Sequence, residues 1–78
     1  MYWWYKFIEK KGNVYKYAYS VDSDKCDGII CYSILTGEAV IEKKCENDDG
    51  EWMMHRSVEH FYKVVKEGFP SKVQVCTG

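Results

Sequence analysis

The sequence has little proline, no long apolar run and almost no net charge. One proline in 78 residues, together with 46% hydrophobic residues, excludes a linker and the disordered class. The longest apolar run, near "IICYSIL", is far shorter than the roughly 20 residues that span a bilayer. A net charge of −1 provides no overall field that attracts nucleic acid or an anionic membrane. The sequence therefore predicts one small globular domain over residues 1–78.

The first ten residues, "MYWWYKFIEK", lack the features of a secretory signal. They have no basic region ahead of an apolar segment and no small-residue cleavage site, and Lys6 and Glu9 interrupt the apolar residues. We therefore expect a cytoplasmic protein whose cysteines are reduced. Two disulfides, with three possible connectivities, are the alternative in a secreted chain. The four cysteines are Cys26, Cys31, Cys45 and Cys76.

Turn signals divide the chain into β-rich segments and one helix. Gly12-Asn13 and Thr36-Gly37 each predict a tight hairpin turn. Residues typical of strands fill the segments between the turns. The strands are expected at about 3–10, 14–21, 29–35 and 38–45, with a last short strand at "KVQVC". The predicted fold is α+β: an antiparallel sheet of four to five strands with one helix packed on one face, in the order β-β-β-β-α-β.

The segment "EWMMHRSVEHFYKVVKEG" has the period of an amphipathic helix. Its apolar stripe, at steps of three or four residues, is Met54, Val58, Phe61, Val65 and Phe69. Asp48 or Asp49 can cap the start, and Gly68 followed by Pro70 ends the helix. A helix that begins only at Ser57, with "EWMMH" as a strand, is the alternative, and we favour the longer helix.

The register of the first hairpin decides where its aromatic residues point. A regular hairpin at the first turn places Lys6 over Tyr19 in a cation–π contact. One face, which we assign to the core, carries Trp3, Tyr5 and Phe7. In the second hairpin, the expected core face is Ile30, Tyr32, Ile34, Ala39 and Ile41, while Ile29 and Val40 lie on the other side.

A single helix covers one face of a sheet, so the second face of the first hairpin is expected to stay uncovered. Exposed apolar patches of more than a few hundred Å² mark interaction sites, and Tyr and Trp are enriched at interface hot spots. A sheet that curls and covers its own tyrosines is the alternative. The predicted contact face, for a protein partner or for a homodimer, is Trp4, Lys6, Ile8, Tyr15, Tyr17 and Tyr19.

Two acidic loops, "DSDKCDG" and "ENDDGE", lie close together if the sheet meanders. Such loops are typical of solvated turns; the functional alternative is an acidic surface that docks on a basic groove of another protein. The first loop is not a calcium loop, because Gly28 and Ser33 occupy the wrong positions of the EF-hand pattern. The candidate contact residues of the two loops are Asp22, Asp24, Asp27, Asp48 and Asp49.

The cysteines and histidines are too widely spaced for a structural zinc site. His55 and Glu59 lie four residues apart on the predicted helix, as do Arg56 and His60, which is typical of pairs on a helix surface. No recognisable nucleophile or oxyanion site accompanies them. We therefore predict no catalytic residue, no cofactor and no metal.

Two stretches, "YKYAYSVDSDKCDG" and "EHFYKVVKEGFPSKVQVCTG", carry a resemblance. With the aromatic first strand, the Cys-Asp-Gly turn at 26–28 and the Gly-Phe-Pro end of the helix at 68–70, the chain resembles small uncharacterised proteins of bacterial prophages and mobile elements. These features cover about half of the chain. The resemblance implies a protein that inhibits or redirects host machinery by binding it, as anti-CRISPR proteins do.

The sequence thus predicts a cytoplasmic protein-binding module, an inhibitor or regulator such as an anti-CRISPR protein that blocks a nuclease effector. The alternative is a nucleic-acid-binding module, in which aromatic residues of the sheet stack on bases. The lysines that would meet phosphate are Lys6, Lys10, Lys11 and Lys16. The net charge counts against that alternative, and a small metal-binding protein or enzyme is a third, weaker hypothesis.

Overall fold

The structure, a computed structural model, describes residues 2–47 and 50–76, without the side chain of Glu51. Five strands form one antiparallel sheet, and a single helix packs on one of its faces. The predicted α+β fold is confirmed. The elements are β1 Tyr2–Lys11, β2 Val14–Val21, β3 Gly28–Ser33, β4 Glu38–Lys43, α1 Gly50–Lys66 and β5 Lys72–Cys76.

The strand order is β4-β3-β2-β1-β5, so the first four strands meander and the last one joins the free side of β1. β4 and β5 are therefore the two edges of the sheet. The helix α1 contacts both β1 and β4, and so it lies across the sheet on one side. Within the described ranges, no helix combines the length and the apolar character that a membrane crossing needs.

The first hairpin contains a β-bulge that the sequence did not reveal. Its turn lies where predicted, with Lys11 opposite Val14. The pairing then shifts between Phe7 and Glu9, so that Ile8 is an extra residue on β1. Because neighbouring residues of a strand point to opposite faces, one extra residue reverses the face of everything beyond it.

This bulge overturns the predicted contact face. Tyr5 lies opposite Tyr19, and Phe7 lies opposite Tyr17, so these residues share the side of the sheet that carries Trp3. Both β2 tyrosines are fully buried beneath the helix. The prediction that Tyr17 and Tyr19 line an exposed face is therefore wrong, and so is the contact between Lys6 and Tyr19.

The core is built largely from aromatic rings whose polar ends are satisfied. Trp3 Nε1 donates to Ser57 Oγ at 2.9 Å, and the Tyr5 hydroxyl donates to the carbonyl oxygen of Ser57 at 2.6 Å. These two hydrogen bonds allow large amphipathic rings to be buried without loss of hydrogen bonding. Phe7, which was expected in the core, lies at its rim and is 36% exposed. The buried hydrophobic residues are Trp3, Tyr5, Tyr17, Tyr19, Val21, Ile30, Cys45, Met53, Phe61 and Val64.

The longer of the two predicted helices is confirmed, because α1 begins at Gly50 and includes the segment "EWMMH". The buried side of the helix is shifted by about one residue from the predicted stripe, and it includes two polar residues, Ser57 and His60. Its buried residues are Met53, Ser57, His60, Phe61 and Val64. Of the predicted stripe, only Phe61 is fully buried. The expected capping aspartates, Asp48 and Asp49, lie outside the described residues.

The helix ends at the predicted glycine. Gly68 has a φ of +88°, and its amide donates to the carbonyl of Val65 at 3.0 Å. The amide of Phe69 donates to the carbonyl of Val64 at 3.4 Å. Together these bonds form a Schellman motif, which directs the chain back over the sheet. Phe69 thereby stacks on Tyr15, with ring centroids 3.7 Å apart.

The second hairpin has the predicted core face, apart from one residue. Ile30 lies opposite Ile41, and Tyr32 lies opposite Ala39. Ile34 lies beyond the end of β3 and is 45% exposed, so its assignment to the core is wrong. The loop spans residues 34–37 and not only the two residues of the predicted turn.

Candidate protein-binding surface

The structure separates the six residues of the predicted contact face. Trp4 and Lys6 do lie on the side of the sheet that α1 leaves uncovered, half-buried and exposed respectively. Ile8 is exposed at the bulge. Tyr15 lies on the helix side, where the Phe69 ring covers it and Lys10 Nζ lies 5.4 Å from its ring centroid. Of the six, Trp4 and Lys6 thus remain on the uncovered side, and Ile8 is exposed near them at the bulge.

The uncovered side of the sheet, called the open face below, has an apolar centre. Ile29 and Val40, which the sequence placed on the outer side of the second hairpin, are among its residues, and Val40 is 62% exposed. Strand alternation adds neighbouring residues of β2 and β3 to the same face. Its half-buried or exposed apolar residues are Trp4, Ala18, Ile29, Cys31 and Val40.

The charges of the open face are unevenly paired. Lys16 Nζ lies 3.9 Å from Glu9 Oε1 and 3.8 Å from Glu42 Oε2, so two carboxylates offset its charge. Lys6 and Lys72 lie directly opposite each other across β1 and β5, and neither makes an ion pair within residues 2–47 and 50–76. The Trp4 end of the open face is therefore positively charged. The sequence did not place Lys72 here, because nothing local fixes the neighbour of β5.

A small depression joins the open face to the first acidic loop. It has a volume of about 150 Å³, and Trp4, Lys6 and Lys72 contribute its sheet side. Asp24 and Lys25 contribute the loop side of the depression. The sequence predicted the β1 residues and this loop as two separate contact regions. In the structure they form one continuous surface. The lining residues are Trp4, Tyr5, Lys6, Asp24, Lys25, Cys26 and Lys72.

The two acidic loops lie together, as expected for a meandering sheet. The amide of Glu46 donates to Asp27 Oδ2 at 3.1 Å, and Lys25 Nζ lies 3.3 Å from Glu46 Oε2. Asp22 Oδ1 accepts a hydrogen bond from the amide of Tyr2 at 2.9 Å. The carboxylates of Asp22 and Asp27 thus accept hydrogen bonds from backbone amides, whereas Asp24 is exposed at the depression described above. The remaining two, at 48 and 49, lie outside the described residues.

None of the four cysteines, all of which the structure describes, forms a disulfide. Burial, and then the hydrogen bond from Cys31 Sγ to Glu42 Oε2 at 3.2 Å, raise the pKa of the Cys31 thiol to about 11. A thiol with so high a pKa is protonated at neutral pH and is a poor nucleophile. Among the residues that the structure describes, no three of His, Cys, Asp and Glu are grouped so as to hold a metal ion.

His60 is buried in the core and is not a helix-surface residue, so that part of the sequence interpretation is wrong. Its ring centroid lies 4.2 Å from that of Trp3, and Arg56 pairs instead with Glu59 at 3.6 Å. Neither imidazole nitrogen has a hydrogen-bond partner within the described ranges. Burial lowers the pKa of His60, and the charges of Lys63 and Arg56 lower it further.

We expect acid to destabilise this protein through His60. Because the folded-state pKa lies below the unfolded value of about 6.5, the unfolded chain binds more protons as the pH falls through that value. The free energy of unfolding that depends on neutral His60 is therefore fully present above about pH 6.5 and is lost progressively below it. His60→Phe, which keeps a ring against Trp3, removes this part of the decline, and the exposed His55→Gln does not. Urea unfolding at pH 7.5 and pH 5 measures the difference, and an unchanged decline in His60→Phe would contradict the assignment.

No family model matches the chain, and neither the curated proteins nor the solved structures include a significant match to it. The function is therefore inferred from the chain's own residues. The strongest candidate surface is the open face, which combines an apolar centre, a tryptophan and two lysines that make no ion pair among the described residues.

Proposed function

We propose that this protein is a protein-binding module whose contact surface is the open face around Trp4, with the loop 22–28 at its border. The observation that carries the proposal is an apolar sheet centre at Ala18, Ile29 and Val40 on which no described helix or strand packs, while the loop 22–28 covers Ser20 beside Trp4. An antiparallel sheet with one solvated face ordinarily alternates apolar and polar residues, with the polar residues outward. Here Trp4, Ile29 and Val40 break that alternation on the outer side.

The arrangement is that of an interface, with an apolar centre and a charged rim. Tryptophan is enriched among hot-spot residues because its large ring fills a partner pocket and its N–H can still donate. Lys6 and Lys72, which make no ion pair with the described part of the chain, set the chemistry of the partner, which presents acidic side chains around an apolar contact.

The nucleic-acid alternative is supported less well than a protein partner. Stacking of several bases requires several exposed rings, and Tyr17 and Tyr19 are buried. Of the lysines that were to meet phosphate, Lys10 lies on the helix side and Lys16 is held by two glutamates. One half-buried tryptophan and two sheet lysines favour a protein over an extended single strand.

The partner class follows only from the resemblance given above. A protein from a prophage or mobile element is expected to act on a host enzyme, and a CRISPR effector subunit is the most specific version of that expectation. The acidic Asp22–Asp24 segment offers such an enzyme a second contact, next to the lysines. The identity of the partner stays a prediction that binding experiments test.

We expect Trp4→Ala to weaken partner binding at least tenfold, which is about 1.4 kcal/mol and within the range of hot-spot effects. The partner is captured from bacterial lysate with tagged protein, then purified and titrated by calorimetry. Trp52→Ala is the matched control, because this tryptophan is 62% exposed but lies on the helix. Lys6→Glu is expected to weaken binding as well.

Three results would contradict the proposal. The first is an equal affinity of the wild-type and Trp4→Ala proteins for the captured partner. The second is a loss of binding in Trp52→Ala alone, which would move the contact surface to the helix. The third is micromolar binding of single-stranded oligonucleotides that falls steeply with salt, which is the signature of phosphate contacts.

A further inference from the structure

We infer that a second copy of this chain docks on the free edge of β4, so that the protein forms a dimer with one continuous ten-stranded sheet. This contact uses the backbone of the sheet edge and the groove beside it. It does not depend on the function proposed for the open face. Three observations support this dimer: the orientation of the β4 backbone, the apolar groove beside it and the order of charges along the strand.

The backbone of β4 points hydrogen-bonding groups away from the sheet. The amide of Ala39 donates to the hydroxyl of Tyr62 at 3.0 Å, on the helix side of the edge. Ala39 and Tyr32 are therefore a pair without mutual hydrogen bonds, and such pairs alternate with hydrogen-bonded ones in an antiparallel ladder. Ile41, two residues further along, accordingly presents its amide and carbonyl to the free edge. Unpaired groups of this kind are a template for another strand.

An apolar groove lies beside this edge, between β4 and α1. Its volume is about 530 Å³. Ile41, Met54 and Val58 are half-buried along it, so an added strand would cover apolar surface as well as pair its backbone. The lining residues are Ala39, Val40, Ile41, Met54, His55 and Val58.

The charge order along β4 identifies the added strand as a second copy. The strand begins with Glu38 and ends with Lys43, and Lys44 follows. In an antiparallel pair centred on Ile41, Ile41 lies opposite its own symmetry mate. β4 has an extra residue, Glu42, between Ile41 and Lys43. Glu38 therefore faces the basic pair Lys43 and Lys44 of the other copy, and the two-fold axis repeats this attraction at the far end. Opposite charges facing each other stabilise antiparallel strands.

The other edge of the sheet lacks this self-complementarity. β5 reads "KVQVC", with Lys72 at one end and no acidic residue. Pairing β5 with itself would gain no opposite-charge contact.

A charge-swap experiment tests this dimer. Wild-type protein at 100 µM is expected to sediment at twice the mass of one chain. Glu38→Lys, and separately Lys43→Glu combined with Lys44→Glu, each place like charges opposite each other, and each is expected to raise the dimer dissociation constant at least tenfold. All three positions are exposed, so the variants are expected to fold, and circular dichroism confirms that they do.

Mixing the two kinds of variant restores both attractions, because each copy then faces the opposite charge. We expect a heterodimer by native mass spectrometry, with an affinity near that of the wild type. Lys72→Glu, at the other edge, is the matched control and leaves the dimer unchanged. A monomeric wild type at 100 µM, or variants that do not pair on mixing, would overturn the inference. Either result leaves the proposal for the open face standing, because that proposal is measured by partner affinity.

Discussion

Tyr17→Glu is expected to unfold this protein. The side chain of Tyr17 is fully buried, and its ring contacts those of Phe61 and Phe7, with centroids 5.2 Å and 5.6 Å away. Loss of a large buried ring costs about 3–5 kcal/mol, and an unpaired buried carboxylate costs several kcal/mol more. At roughly 0.05–0.15 kcal/mol per residue, the whole domain has about 4–12 kcal/mol of stability. Urea unfolding followed by circular dichroism measures the loss.

Tyr17→Phe is the matched control, since it keeps the ring and removes the hydroxyl that donates to the carbonyl of Pro70 at 2.6 Å. That change is expected to cost about 1 kcal/mol. Burial, followed by the charge of Tyr15, raises the pKa of Tyr17 to about 12. The free energy of unfolding that depends on neutral Tyr17 is therefore fully present below pH 10 and is lost as the pH rises toward 12. Tyr17→Phe is expected to remove this decline. A folded Tyr17→Glu protein of near wild-type stability would show that β1 lacks the bulge at Ile8.

Gly28→Ala is expected to be the next most damaging change, although it adds one methyl group. A Cβ at Gly28 would lie 2.5 Å from Tyr19 Cε1 and 2.7 Å from the amide nitrogen of Cys45. Neither atom can move aside easily, because the Tyr19 ring and Cys45 are both buried. Overpacking of this kind costs about 1–3 kcal/mol, and contact with backbone favours the upper end. Thermal and urea unfolding of the variant measure the cost.

Gly12→Ala separates this steric effect from backbone strain. Gly12 has a φ of +62°, and nothing lies within 4 Å of the position that its Cβ would take. The left-handed conformation alone costs about 1 kcal/mol for alanine. Gly28→Ala is therefore expected to lose clearly more stability than Gly12→Ala. Equal losses would mean that the chain from 44 to 46 relaxes away from β3.

The parts of the fold that follow from local chemistry could be predicted from the sequence. A glycine in the right place determined the first hairpin turn and the end of the helix, and both lie where expected. The α+β order followed from the change of apolar period between the strands and α1. These signals are local because each depends on a few neighbouring residues.

The bulge at Ile8 could not be predicted in this way. Isoleucine is an ordinary strand residue, and nothing in its neighbours marks it as extra. The bulge forms because it places Tyr17 and Tyr19 beside Trp3 and Tyr5 in one aromatic core, which is a gain from residues distant in sequence. The contact face was misassigned for this one reason.

The polar residues of the helix misled the prediction in a related way. Ser57 and His60 look like surface residues, but Ser57 Oγ accepts from the Trp3 indole and donates to the carbonyl of Met53 at 2.9 Å. A buried tryptophan needs such an acceptor, and only its position opposite the helix shows which residue supplies it. Likewise, Lys72 joined the candidate surface only because β5 pairs with β1.

The extra residue at the β1 bulge also determines where the sequence can lose a residue without changing the core. Losing one codon anywhere from 6 to 9 would straighten the strand and still leave Trp3 and Tyr5 on the helix side. The same loss inside β2, whose pairing with β3 is regular, would turn part of that strand over against a neighbour that cannot adjust. Descendants of this sequence are therefore free to shorten at the outer part of the first strand, and they must keep the length of the second.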